Sequence, residues 1–169
     1  LCRKNSWHDL YPADPAECTK IDWYLHSHHR GIRDASLAFF APNVRKDLTF
    51  PATFLDSAQK MFTRSLNSLE KSWLDKSRFI AGDSLSIADL AAYVEIGQLR
   101  PQFTNLFDFE QLPNVRRWMN DIADIDSHDV AHTALTTLGD ISVKAPDMEA
   151  VITANKQGYK AIMDRQAKT

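Results

Sequence analysis

Apolar residues recur at steps of three and four along most of the chain, and this spacing is typical of helices that bury one face. Nowhere does the sequence alternate apolar and polar residues with the period of two that marks a strand. Helices are predicted, in chain order, at 16–40, about 52–74, 86 to before Pro101, from near Pro113 onward, about 130–138 and about 146–165. The pattern therefore predicts an all-α domain, a helical bundle around one core.

Each of the stronger helices has one face that the pattern assigns to the core. These faces carry Ile21, Tyr24, Leu25, His28, Ile32, Ala35 and Phe39 in the first helix, Leu55, Ala58, Phe62, Leu66, Leu69 and Trp73 in the second, and Val115, Trp118, Met119 and Ile122 in the fourth. Between the first two helices, Pro42 and Pro51 bracket the segment APNVRKDLTFP. This segment is predicted to be a loop, because residues before proline favour extended backbone.

The stretch RFIAGDSLSIADLAAY, residues 78–93, contains a strong signal for the start of a helix. Ser86 is a natural N-cap, and its hydroxyl can accept from the backbone N–H of Asp89. The Asp89 carboxylate can bond back to the N–H of Ser86, and it lies where the helix dipole favours negative charge. Leu85 and Leu90 flank this cap as a hydrophobic staple. The helix that follows has little polar surface, and this includes the side that carries Val94. We therefore expect the helix in the middle of the bundle. Ser86 and Asp89 are then expected to be structural residues.

Composition narrows the class of protein further. The chain has 169 residues, 44% of them hydrophobic, which suits one domain with a continuous core. The formal charge of −2 gives no electrostatic reason to expect nucleic acid or an anionic membrane as a partner. Two cysteines, Cys2 and Cys18, are too few for a disulfide scaffold and lack the spacing of a redox pair. We therefore expect a cytoplasmic protein.

Several segments together resemble a known family. FIAGDSLSIADLAAYVEI is similar to the capped central helix of the C-terminal domain of glutathione transferases. LPNVRRWMNDI resembles the helix that follows it in that family, and IDWYLHSHHRGIR resembles the first helix of the domain in the theta class. The order of these pieces agrees with the family, and the likeness covers roughly residues 1–138.

This resemblance implies one part of a two-domain enzyme. Residues 1–12, with LCRKN and LYPAD, look like the end of a preceding thioredoxin-like domain plus the linker, and residues 13–169 form the all-helical domain. In the family the thioredoxin-like domain binds glutathione, the co-substrate, and carries the residue that stabilises its thiolate. No catalytic residue, other cofactor or metal is therefore expected in this sequence. The isolated chain is not expected to conjugate glutathione, whereas the parent enzyme would be a homodimer acting on a small electrophile.

The resemblance also implies where the co-substrate would lie. Arg33 stands where theta-class proteins often have an arginine that faces the active-site cleft, and such a guanidinium can steer glutathione or stabilise a leaving anion. The alternative is a surface arginine paired with Asp34 or Asp14. Leu37 and Phe40 could line the pocket for the electrophile, or they could be ordinary core residues. Ala41 departs from the tryptophan of several theta-class proteins, which leaves the substrate preference open.

Other polar clusters have plainer interpretations. His26 and His29 share a helical face with Asp22 and Cys18, but one straight helix cannot wrap four ligands around zinc. The acidic segment DIADIDSHD, residues 121–129, is interpreted as a solvated helix end with Ser127 or Asp129 as the next cap. The tryptophans are interpreted as core and interface anchors: Trp7, Trp23, Trp73 and Trp118.

A second class of function stays open at this point. Domains of this fold also serve as non-catalytic interaction modules, as in translation factors, and a fold by itself does not decide function. The tail after Ile141 matches the family poorly, and it could cover an active site or pack on the bundle.

Overall fold

The computed structural model describes residues 2–168, with the backbone alone at Ala35. Within these residues the chain is helical, and the one β-like feature is an isolated bridge between Phe79 and Gly82. The helices are α1 Cys2–Asn5, α2 Pro15–His28, α3 Asp34–Val44, α4 Ala52–Ser68, α5 Ile87–Ile96, α6 Pro113–Ala123, α7 His128–Ala131, α8 Thr133–Leu138 and α9 Met148–Gln166. The all-α prediction is confirmed, as is the order of its elements.

Two of the predicted helices contain a π-helical turn. His29–Arg33 joins α2 to α3, and Leu69–Trp73 follows α4. The first of these turns packs against α4 so closely that a Cβ on Gly31 would lie 2.5 Å from Ser65 Oγ. The absence of a side chain at Gly31 therefore permits this approach. The sequence pattern predicted a helix in each of these places but not the wider turns within them.

The prediction that a loop begins at Pro42 is wrong, because α3 continues through Pro42 to Val44. Polar groups satisfy the carbonyls at this end of the helix. Asn43 Nδ2 donates to the Phe39 carbonyl at 2.9 Å, and the Arg45 N–H donates to the Ala41 carbonyl at 2.7 Å. Lys46 Nζ donates to the Pro42 carbonyl itself. These bonds stabilise a last turn that proline alone would weaken.

Helix α5 lies in the core, with α2, the π-helical turn His29–Arg33 and α6 around it. Its buried residues are Ala88, Asp89, Ala92, Tyr93 and Ile96. The central position predicted for this helix is thus confirmed for one broad face. Val94 is the exception, since 59% of it is exposed, and the expectation that this side of the helix is also covered is wrong within the described chain.

The start of α5 is fastened as predicted, and more firmly. Ser86 and Asp89 form a capping box, and the Asp89 carboxylate accepts from the N–H and the hydroxyl of Ser86 at 2.9 and 2.8 Å. Two further donors come from outside the cap: the Ile80 N–H at 2.8 Å and Trp118 Nε1 at 2.9 Å. Asp89 therefore ties together α5, the loop before it and α6.

A second buried carboxylate holds the start of α6. Glu70, in the π-helical turn after α4, accepts from the N–H of Asn114 at 3.1 Å and from that of Val115 at 2.9 Å. A carboxylate at this end of a helix satisfies unpaired donors and complements the helix dipole. No local motif announces this cap, because 44 residues separate the partners Glu70 and Asn114.

The remaining helices, α7 to α9, form the last layer. Gly158 of α9 faces Ala134 of α8, and a Cβ on this glycine would lie 2.8 Å from the Ala134 Cβ. Ser127 occupies the N-cap position of α7, but its left-handed backbone, with φ of 68°, makes no side-chain cap bond. Ser127 is therefore not the side-chain cap that we expected, and Asp129 lies in the first turn instead.

The tryptophans divide between core and surface. Trp118 is fully buried and Trp73 is partly buried against the core. Trp23 packs on Trp73 with ring centroids 5.3 Å apart, yet 66% of Trp23 is exposed, as is 44% of Trp7. Trp118 and Trp73 are therefore the core anchors of this set, whereas Trp7 and Trp23 lie at the surface, and an interface role for these two stays a prediction.

Candidate functional site

Arg33 ends the π-helical turn that leads into α3, and its side chain is 58% exposed. Its Nε lies 3.9 Å from Glu95 Oε1 of α5, so the expected alternative partners, Asp34 and Asp14, are not the ones it meets. Within residues 2–168, neither Nη group of Arg33 donates a hydrogen bond. The guanidinium therefore presents free donors at the surface, and its ion pair is long and solvated.

Glu95 is held in place by neutral neighbours. The buried Ser36 hydroxyl donates to Glu95 Oε2 at 2.9 Å, and Gln98 Nε2 lies 3.4 Å from the same oxygen. This network fixes the carboxylate beside Arg33. No local sequence pattern indicates this network, because Ser36 and Glu95 are 59 residues apart and only the packing of α3 near α5 joins them.

Leu37 and Phe40 follow Arg33 on α3 at steps of four and three, which puts all three on one side of the helix. Leu37 is 52% exposed, so it is not an ordinary core residue. Phe40 is half-buried and packs against the core cluster. The three residues make an open surface with one cation and two apolar side chains, which we call the α3 surface.

The α3 surface is a wall, whereas clefts lie in other parts of the chain. One cleft of about 550 Å³ is lined by Arg100, Phe103 and His128. Another of about 550 Å³ lies between residues 8–21 and the loop 81–86. A wall of this kind needs a second surface opposite it before it can enclose a ligand.

The histidines before Arg33 do not form a metal site. His26 and His29 are exposed, whereas His28 points into the core. Cys18 is buried, and its Sγ donates to the Pro12 carbonyl. Across residues 2–168, no three His, Cys, Asp or Glu side chains are grouped so that they could hold a metal ion. In the same part of the chain, no helix combines the length and apolar character needed to cross a bilayer.

We expect the buried His28 to make stability depend on pH. Burial lowers its pKa to about 4, with a further contribution from His29 and Arg33. In the unfolded chain the pKa is about 6.5, so the unfolded state takes up the proton first and stability falls as the pH drops from about 6.5 towards 4. The loss between about pH 7 and about pH 5 should be on the order of 1 kcal/mol after solvent screening.

Urea unfolding at the two pH values measures this effect. The variant His28→Gln should lose part of the pH dependence, whereas the control His26→Gln, on the same helix but exposed, should keep it. Equal pH dependence in the two variants would contradict the assignment to His28.

The acidic segment 121–129 forms surface pairs. Asp121 contacts Arg78 and Arg117 at 3.2 and 3.5 Å, and Asp126 contacts Arg165 at 2.7 Å. These pairs agree with the predicted solvated helix end, and none of them adjoins the α3 surface.

Comparison with known proteins supports the architecture. Residues 52–121 match the family described as "Glutathione S-transferase, C-terminal domain". The chain is 30% identical over 123 residues to glutathione S-transferase theta-1 of Gallus gallus, a match that covers 70% of this chain and 46% of that protein. The chain thus spans about half the length of this curated relative.

Solved structures share the fold. Glutathione transferase F2 of Populus trichocarpa superposes with a TM-score of 0.61 at 27% identity, over 76% of this chain and 62% of the other. Human glutathione transferase theta-2 superposes with a TM-score of 0.67 at 21% identity, over 95% and 69% of the two chains. At 21% sequence identity, the human structure supports the fold alone. In sequence, the chain is thus similar to the C-terminal domain of glutathione transferases over residues 52–121 and to a theta-class relative over 123 residues.

Proposed function

We propose that this domain forms the electrophile-binding wall of a glutathione transferase, which adds the thiolate of glutathione to a small electrophile. The observation that carries the proposal is the α3 surface: Arg33 and Leu37 are exposed on a domain whose relatives are glutathione transferases. The human theta-2 structure is a complex with glutathione and an unknown ligand. That protein supports glutathione as the co-substrate of the present one.

The residues of the α3 surface take different roles in this proposal. Leu37 and Phe40 offer apolar contact to the electrophile, as a pocket for varied small molecules requires. Arg33 stabilises negative charge, either on the thiolate or on the departing group, through its free Nη donors. A preceding thioredoxin-like domain, ending at about residue 12, binds most of the glutathione and supplies the catalytic residue. The chain itself then contributes no catalytic residue, metal or other cofactor.

The proposal also implies a cellular compartment and an oligomeric state. A cytoplasmic homodimer is the expected assembly, and we expect the helical domain by itself not to conjugate glutathione, because the proposal assigns most of the glutathione site to the thioredoxin-like domain. The alternative, a non-catalytic interaction module, is not favoured, since the relatives described above carry transferase names.

An engineered fusion tests the proposal. The chain is joined behind a thioredoxin-like glutathione-binding domain, and conjugation of glutathione to a generic alkyl halide is measured. We expect activity in the fusion, and we expect Arg33→Ala to lower kcat/KM about tenfold, with most of the loss in kcat, because charge stabilisation acts in the transition state.

The matched control is Arg64→Ala, which removes an exposed arginine from α4. This control should leave both constants within about twofold. A correctly folded fusion that binds no glutathione would overturn the proposed function. Equal losses in Arg33→Ala and Arg64→Ala would overturn the role of Arg33 alone.

A further inference from the structure

Arg100, just after α5, is a buried cation with no acidic partner. Only 7% of it is exposed, and its guanidinium donates to the Tyr93 hydroxyl at 2.9 Å, the Met119 carbonyl at 3.2 Å and Asn120 Oδ1 at 2.9 Å. All of these acceptors are neutral. Among residues 2–168, no carboxylate comes within 4.0 Å of its nitrogens. Buried charges in proteins are normally paired with an opposite charge. Arg100 is therefore unusual, because the described residues give it no counter-charge.

A cleft of about 550 Å³ adjoins this arginine. Its volume is in the range of small-molecule sites. The lining combines aromatic rings with polar side chains: Phe103, His128, Gln102, Asp129, Thr133 and Thr137. It shares no residue with the α3 surface, so any ligand here is separate from the proposed reaction.

Hydrogen bonds and ring contacts link Arg100 to the two histidines beside the cleft. The Tyr93 oxygen accepts from Arg100 and lies 2.8 Å from His128 Nε2. On the other side of the same ring, His128 Nδ1 lies 3.2 Å from Asp129 Oδ1. The next ring, His132, stacks on His128 with centroids 4.1 Å apart, and burial lowers its pKa, as does the charge of Arg100. Arg100 is thus the permanently charged cation beside this cleft.

The threonines of the cleft can accept but not donate. Thr133 Oγ1 donates to the Asp129 and Val130 carbonyls, and Thr137 Oγ1 donates to Gln157 Oε1 at 3.0 Å. Their remaining lone pairs suit a ligand that carries N–H or O–H groups. Asp129 adds a fully exposed carboxylate at the rim. The cleft therefore offers a buried cation and an outer set of acceptors.

We propose that this cleft binds a free α-amino acid, with its carboxylate towards Arg100 and its ammonium group towards Asp129 and the threonine oxygens. The carboxylate supplies the missing counter-charge, and the ammonium group uses the acceptors that the threonines leave open. Phe103 gives the wall an apolar ring, so an aromatic amino acid suits the cleft.

Calorimetric titration of the full 169-residue chain tests this site. The probes are phenylalanine, phenylalanine amide, which lacks the carboxylate, and N-acetylphenylalanine, which lacks the ammonium group. We expect each blocked probe to bind about tenfold more weakly than phenylalanine, since each loses one charge-assisted contact. Equal affinity of the amide and the acid would overturn the proposal, as would no binding of any probe at millimolar concentration.

Variants at the exposed rim avoid the risk that replacing Arg100 unfolds the chain. Asp129→Asn should bind phenylalanine about tenfold more weakly while its affinity for N-acetylphenylalanine stays unchanged. Asp124→Asn, a neighbouring exposed carboxylate outside the lining of this cleft, is the matched control and should change neither affinity. The same loss for both probes in Asp129→Asn, or unchanged binding of phenylalanine, would contradict the assigned orientation.

Discussion

Replacement of Asp89 by alanine is expected to lower the free energy of unfolding by about 4 kcal/mol. The carboxylate is fully buried and accepts four hydrogen bonds, two from Ser86 and one each from Ile80 and Trp118. Its removal leaves the Ile80 N–H and the Trp118 indole N–H buried without partners, and such groups cost far more than an average hydrogen bond contributes. Urea unfolding, followed by tryptophan fluorescence, measures the change.

The control for Asp89→Ala is Asp147→Ala, which removes a helix-capping aspartate at the surface. Asp147 caps α9, and its Oδ1 accepts from the Ala150 N–H at 2.8 Å in an exposed position. Asp147→Ala should cost only about 1 kcal/mol, because water replaces the lost acceptor. Equal costs at Asp89 and Asp147 would show that the buried network adds nothing to an ordinary cap.

The second large effect is expected at Glu70, where alanine should lower the free energy of unfolding by about 3 kcal/mol. The substitution leaves the N–H groups of Asn114 and Val115 without acceptors and removes a negative charge from the start of α6. Amide hydrogen exchange measures the change locally, since protection should fall first in α6.

Two further variants make the test specific. Glu70→Gln keeps the size of the side chain but turns an NH₂ group towards donors, so we expect it to recover less than half of the loss. Lys71→Ala changes an exposed neighbour and should stay within about 0.5 kcal/mol of the wild type. Loss of protection spread evenly over all helices, with α6 no different from α4, would contradict the local role of Glu70.

These two carboxylates show how far sequence reasoning reaches. The capping box at Ser86 and Asp89 is local, because its partners are three residues apart, and its pattern predicted the start of α5. The bonds from Ile80 and Trp118 to the same carboxylate are long-range and could not be predicted from spacing. Glu70 has no local partner, so its sequence context resembled that of any solvated helical glutamate.

The features of the α3 surface also separate into those that the sequence predicted and those that depend on tertiary contacts. Resemblance to the family directed attention to Arg33, Leu37 and Phe40, and helical spacing put them on one side of α3. Exposure of Leu37, the pairing of Arg33 with Glu95 and the role of Ser36 depend on how α3 lies near α5. The buried charge of Arg100 gave no sequence signal either, since its acceptors come from α5 and α6.

The sequence by itself determined the all-α class, the order of the main helices and the capped start of α5, because helical periodicity and caps depend on residues within one or two turns. Only the tertiary structure decided where α3 ends, which tryptophans lie outside, and which partners the buried charged groups meet. Those features depend on contacts between segments tens of residues apart, whose free energies no local pattern records.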